Sequence, residues 1–161
     1  MSASQTKITL GDCFAVEMED SSIKYFQYLG NDLTQLNSQV IRVFKTPYTG
    51  KVNLNQVAKG DVAFYAHTFI KIGLKLRYWK KVGTVSQVEH PQVLFRNTND
   101  YGNPAIKVSE QWHVWKVNDP FSKVGREDLR HLNTEIGVVV SPESIVHRIR
   151  TGKYDFVYPE H

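Results

Sequence analysis

Six side chains in one short run carry the clearest chemical potential of this sequence: Lys71, Lys75, Arg77, Trp79, Lys80 and Lys81, within FIKIGLKLRYWKKVG at Phe69 to Gly83. Five cations and an indole so spaced can hold a phosphate backbone and stack a base. They can equally meet a carboxylate-bearing protein surface and anchor it with an aromatic ring. The run holds no carboxylate or histidine with which to move a proton, so it reads as a partner-binding set rather than a catalytic one. No catalytic residue is assigned.

The other reactive side chains are scattered. His67, His90, His113, His131, His147 and His161 contain no pair four residues apart and no HExxH motif, so no metal site is expected. Cys13 is the only cysteine, which excludes an intrachain disulfide, and it sits inside the apolar run CFAVEM, where a lone thiol behaves as a small buried hydrophobe. The glycines form neither GxGxxG nor a Walker loop, so no cofactor is expected. The enzymatic option that the basic composition raises is RNA cleavage, with His67 or His113 moving protons and Arg77 or Arg96 facing a phosphorane. That option requires the fold to bring these residues together. Trp112, His113 and Trp115, with Tyr78 and Trp79, supply aromatic surface that would serve either stacking on bases or packing in a core.

The elements that must position these groups are mostly strands. In the run at 69–79, Ile70, Ile72, Leu74, Leu76 and Tyr78 alternate with Lys71, Lys75, Arg77 and Trp79, which predicts a β-strand with a buried even row and a basic outer row. Strands are also expected at 13–18 (CFAVEM), 23–30 (IKYFQYLG), 39–45 (QVIRVFK), 61–67 (DVAFYAH), 93–96 (VLFR) and 112–117 (WHVWKV). Those at 61–67 and 69–79 could form one long strand bent near His67. Aromatics occupy both rows of 23–30, so that strand is expected to be covered on both faces. One helical turn fits 48–60, and the Asn, Asp, Gly and Pro residues of 97–104 read as a loop.

The C-terminal third changes character. Ser141 as N-cap, Pro142 at the first helical position, Glu143 in the first turn, Arg148 and Arg150 in the last, and Gly152 beyond predict a helix with Ile145 and Ile149 facing inward. REDLRHL at 126–132 fits a second short helix, GVVV at 137–140 a strand, and YDFVY at 154–158 a final strand. The whole predicts a single α+β domain over 1–161, built on a curved antiparallel sheet of the SH3-like or partly open barrel kind with one or two C-terminal helices. Positions 1–10 are expected to be a disordered N-terminal segment.

With 161 residues the chain is long enough to bury a core without disulfides or metal. A formal charge of +4 suits an acidic partner, nucleic acid or protein, without choosing between them. No apolar run approaches the ~18–20 residues of a membrane helix, and MSASQTKITLGD lacks the pattern of a secretory signal. A cytoplasmic location with no membrane partner is expected.

The opening GDCFAVEMEDSSIKYFQYLG resembles the immunity protein 26 family of bacterial polymorphic-toxin systems, in which a Gly-Asp turn leads an apolar strand, an acidic turn and an aromatic second strand. QVIRVFK at 39–45 is similar to that family's third strand, and KLRYWKKVG followed by His90-Pro91 and VLFRN resembles its segment in which a tryptophan and a Lys-Val-Gly or Lys-Ile-Gly step precede a proline and another apolar strand. The resemblance spans about 15–97. It implies a non-enzymatic protein that binds a cognate toxin domain in the cytoplasm and blocks it. The basic charge of this chain points away from nucleic-acid mimicry and toward a toxin with an acidic docking surface. A nucleic-acid-binding or RNA-processing domain using the same basic face stands beside it as the alternative.

Overall fold

Aromatic and β-branched residues build the strands of the first half: β1 (Asp12–Glu17), β2 (Ile23–Asp32), β3 (Ser38–Phe44) and β4 (Val62–Thr68). In this computed structural model, which describes residues 7–161, they pair antiparallel in chain order. β5 (Lys80–Thr84) returns antiparallel to the free side of β1. Of the N-terminal segment expected to be disordered, positions 1–6 lie outside the described residues. Positions 7–10 lead into β1 through a turn in which the Thr9 N–H donates to Asp12 Oδ2 at 2.8 Å.

The second half supplies β6 (Leu94–Asn97), β7 (Gln111–Lys116), β8 (Ser122–Gly125), β9 (Thr134–Ile136) and β10 (Val139–Val140). β10 joins the first sheet in parallel beside β4, giving the order β10-β4-β3-β2-β1-β5. The second sheet runs β8-β7-β6-β9, its last pair also parallel. The helices are α1 (Leu54–Val57), α2 (Ile70–Lys75), α3 (Arg126–Leu129) and α4 (Pro142–Thr151). The chain is thus a single α+β domain with an unclosed sheet, as expected, and its strands are divided between two sheets.

Burial explains the layering. Phe14, Phe26, Ile41, Val43 and Phe64 form one face of the larger sheet, covered by Ile70 of α2 and by Ile145 and Ile149 of α4. On its opposite face Leu29 and Val40 meet Phe95 and Trp115 of the smaller sheet, while Val57 of α1 closes over Ala15, Tyr25 and Phe44. β2 is therefore covered on both sides, as its two aromatic rows require. α4 has the caps that its sequence predicts: Ser141 Oγ accepts from the Ser144 N–H, and Gly152 takes a left-handed conformation at φ 88°.

A buried carboxylate pins the two sheets together. Asp32, fully buried at the end of β2, has Oδ2 2.9 Å from His67 Nε2 on β4 and accepts from Trp115 Nε1 on β7 at 2.8 Å. Its Oδ1 accepts the backbone N–H groups of Asn118 and Gln35 at 3.2 and 3.3 Å. Burial alone would raise the Asp32 carboxyl, but these hydrogen bonds outweigh it and hold the group down at about 2. Because the folded value lies below the ordinary carboxylate value, the contribution is present above pH ~4 and is lost as pH falls toward 2. Asp12, fully buried beside Thr9, Thr84 and Lys81, is also lowered and acts with the same sign. Equilibrium denaturation is expected to show stability falling between pH ~4 and ~2 by roughly 2 kcal/mol from Asp32, and replacing Asp32 should remove that part of the acid dependence.

Two expected elements differ. The strand over 69–79 is absent: α2 occupies Ile70–Lys75 and a turn carries the chain into β5. Its even row is correspondingly split, with Ile70 buried, Leu74 and Tyr78 half-buried, and Ile72 and Leu76 45% and 60% exposed. Residues 154–158 form no strand either. Tyr154 and Phe156 stack at 4.8 Å and Tyr158 packs 6.1 Å from Trp112, so their alternation reflects rings laid onto existing surfaces rather than ladder pairing.

Candidate functional site

α2 and the turn that follows it arrange the basic run, and they do so with helical geometry. Ile70, Gly73 and Leu74 face inward at the i, i+3, i+4 spacing of one helix face. Gly73 is required there: a Cβ at this position would lie 2.0 Å from Cζ2 of the Trp79 ring. Trp79 is 4% exposed, meets Phe26 edge-on at 4.9 Å and donates from Nε1 to the Ile70 carbonyl at 3.0 Å. The indole expected on the outer row is therefore the core support of α2, since its ring finds more apolar contact inside than a strand edge offers. It is not a surface anchor.

The outward faces of α2 carry two parallel rows. Phe69, Ile72 and Leu76 follow i, i+3, i+7 spacing and are 44%, 45% and 60% exposed. Lys71 and Lys75, four residues apart, run alongside and are exposed. Arg77 ends the helix and is also exposed. Its φ of 64° is left-handed, and its N–H reaches the Leu74 carbonyl at 3.2 Å while the Tyr78 N–H reaches that of Gly73 at 2.9 Å. This is the Schellman arrangement, with arginine where glycine is favoured. The left-handed backbone at Arg77 carries a conformational cost that glycine would not.

The remaining cations of the run lie on the edge strand. Lys80 is exposed at the start of β5. Lys81 Nζ is 3.1 Å from Asp12 Oδ2 and serves as counter-ion to that buried carboxylate. Among the described residues, Lys71, Lys75, Arg77 and Lys80 have no carboxylate within 4.0 Å. Of the six residues expected to bind a partner, four thus present free charge on one continuous segment, one neutralises a buried acid, and one is core.

An expected result follows from Arg77. Replacing it by glycine relieves the left-handed strain and should raise stability by about 1 kcal/mol, while removing a cation from this face. Chemical denaturation checks the first effect and partner affinity the second.

The fold does not assemble the groups named for RNA cleavage. His67 is fully buried against Asp32 and Phe95. Arg96 pairs across the ladder with Val114, and His113 with Asn97, so the two side chains leave opposite faces of the smaller sheet. Arg77 belongs to the turn after α2. The stacking surfaces are withdrawn as well, Trp112 and Trp115 being 1% and 4% exposed. Cys13 is buried, and burial pushes its thiol up to about 11, far from a reactive thiolate.

Glu135 on β9 lines a cleft beside β4, and burial raises its carboxyl above the ordinary value. Both its oxygens are engaged: Oε1 lies 3.4 Å from Arg148 Nη2, and Oε2 accepts the Tyr65 N–H of β4 beyond the point where β10 stops. Arg148 in turn stacks over Phe64 at 4.0 Å and Tyr154 at 4.7 Å. The group ties β9 and α4 to an open strand edge, a structural task. No set of three or more His, Cys, Asp or Glu side chains among the described residues is arranged to hold a metal ion.

Sequence reasoning missed the apolar row of Phe69, Ile72 and Leu76, whose signal is the i, i+3, i+7 spacing read at helical rather than strand period. The outward side of α2 thus sets an exposed apolar row beside the unpaired cations Lys71, Lys75 and Arg77. No protein-family model matches the chain, and no curated protein or solved structure matches it significantly.

Proposed function

We propose that this protein is a non-catalytic binding protein of immunity type, which captures a cognate toxin domain through the α2 face and blocks it. The observation that supports this reading most is the pairing of an exposed apolar row, Phe69, Ile72 and Leu76, with the unpaired cations Lys71, Lys75 and Arg77. Protein interfaces combine an apolar centre with a polar rim in this way. Cations at the rim speed encounter with an acidic surface, and the apolar centre slows dissociation. The resemblance of the N-terminal half to the immunity protein 26 family supplies the toxin as the kind of partner.

Nucleic-acid binding draws on the same cations but finds less support, because the tryptophans that would stack on bases are buried. Co-expression tests the proposal. The product of the adjacent upstream gene, produced alone, should arrest growth, and co-production of this protein should restore growth and yield a complex that co-purifies. Growth arrest that persists, with no complex formed, would rule out the immunity reading.

A further inference from the structure

We infer that the groove between α2 and the β10–α4 corner receives an acidic amphipathic helix of the partner, its apolar side chains seated on the groove floor and its carboxylates on Lys71, Lys75 and Arg77. The inference rests on the protein-binding reading above and adds where on the surface the partner sits and what it must present.

The groove has a volume of about 470 Å³ and is lined chiefly by Phe69, Ile72, Leu76, Tyr78, Val139 and Pro142. Its carboxylate is Glu143, in the first turn of α4. Such a floor has room for large apolar side chains and few groups with which to hydrogen-bond a base edge or a phosphate. The three exposed apolar residues of α2 lie at helical spacing, the pattern that a partner helix meets with its own i, i+3, i+4 and i+7 positions.

Charge decides between occupants. Lys71 and Lys75 border the apolar row along its length, and Arg77 closes the end of the helix from a strained backbone conformation. A second copy of this chain docked about a two-fold axis would offer these three cations a single groove carboxylate, its own Glu143. A partner segment with Asp or Glu flanking its apolar face gives each of them a counter-ion at the polar rim.

The test uses the full-length protein labelled with ¹⁵N and two synthetic helical peptides of about 16 residues. Both carry leucines on one face, one with glutamates flanking that face and the other with lysines. The inference predicts that the glutamate peptide shifts the amide signals of α2 and of residues 139–143, that the lysine peptide does not, and that Leu76→Ser or the pair Lys71→Glu and Lys75→Glu weakens binding about tenfold or more. Leu76 is exposed, so its replacement leaves the core intact. Equal binding of both peptides, no shifts at about 1 mM, shifts that grow with protein concentration alone, or displacement of the glutamate peptide by an oligonucleotide would each overturn it.

The same variants separate this inference from the immunity reading. If the neighbouring toxin is neutralised equally by wild type and by Leu76→Ser, the immunity function stands and the groove assignment falls. If the glutamate peptide binds as described and the toxin is not neutralised, the groove stands and the immunity reading falls.

Discussion

Replacing Asp32 by alanine should destabilise the protein by about 3–5 kcal/mol, enough to lower the midpoint of thermal unfolding by ~10 °C or more. The size follows from what the substitution leaves behind. The backbone N–H groups of Asn118 and Gln35 meet this carboxylate from partly exposed positions, and Trp115 Nε1–H and His67 Nε2 meet it in the buried interior. Their loss of a partner leaves buried donors unsatisfied, each at roughly 1–3 kcal/mol before relaxation. His67 Nδ1 already has no partner, so the ring has no second bond to fall back on. The cost should diminish when His67 is changed to phenylalanine in the same chain, since the ring already packs 4.2 Å from Phe95 and an apolar ring needs no acceptor. A double-mutant cycle measured by urea denaturation should give a coupling of at least ~1 kcal/mol between the two residues.

Replacing Trp79 by alanine should cost a similar amount, about 3–5 kcal/mol, for a different reason. The indole fills the space between Gly73 and Phe26 and ties the first turn of α2 to the start of β5 through the Ile70 carbonyl. Its removal opens a cavity under a helix of only six residues, which is too short to persist without that support. Partner binding should fall with stability in this variant. Leu76→Ser should instead lose binding and keep stability, because Leu76 is 60% exposed and belongs to the proposed contact surface rather than the core. Measuring both quantities on both variants distinguishes scaffold from contact surface. Gly73→Ala should behave as Trp79→Ala does, since its added methyl group and the indole compete for one space.

Much of the fold could be read from the chain because local and tertiary demands agree there. β1, β2, β3 and β4 follow their aromatic and β-branched runs, and α4 starts and stops at Ser141 and Gly152 as its caps dictate. Short strands were illegible for want of length: SKVG at β8 and TEI at β9 hold too few residues to show a period, and they form because β7 and β6 offer open edges.

The segment 69–79 misleads for a more instructive reason. Ile70, Ile72, Leu74, Leu76 and Tyr78 alternate perfectly, so period two fits. The true inward face, Ile70, Gly73 and Leu74, is disguised because a glycine does not register as apolar. What glycine supplies there is room for Trp79, a fact of packing that no spacing announces. The exposed cations were nonetheless legible as a surface feature. The apolar row beside them is not, because the same alternation places Ile72 and Leu76 in the core. Asp32 lay in a stretch that reads as a polar loop, and nothing in the sequence indicates that His67 and Trp115 converge on it.

Lys71, Lys75 and Arg77, with the apolar row beside them, are proposed to form the surface that captures an acidic protein partner. The most direct measurement is a calorimetric titration of the purified protein with the product of the adjacent gene, made on wild type and on the variant carrying Lys71→Glu and Lys75→Glu. The expected result is a tight complex for wild type that weakens as salt is raised, and at least about tenfold weaker binding for the variant, with unchanged thermal stability. A complex of equal affinity for both proteins would place the interface elsewhere and contradict it.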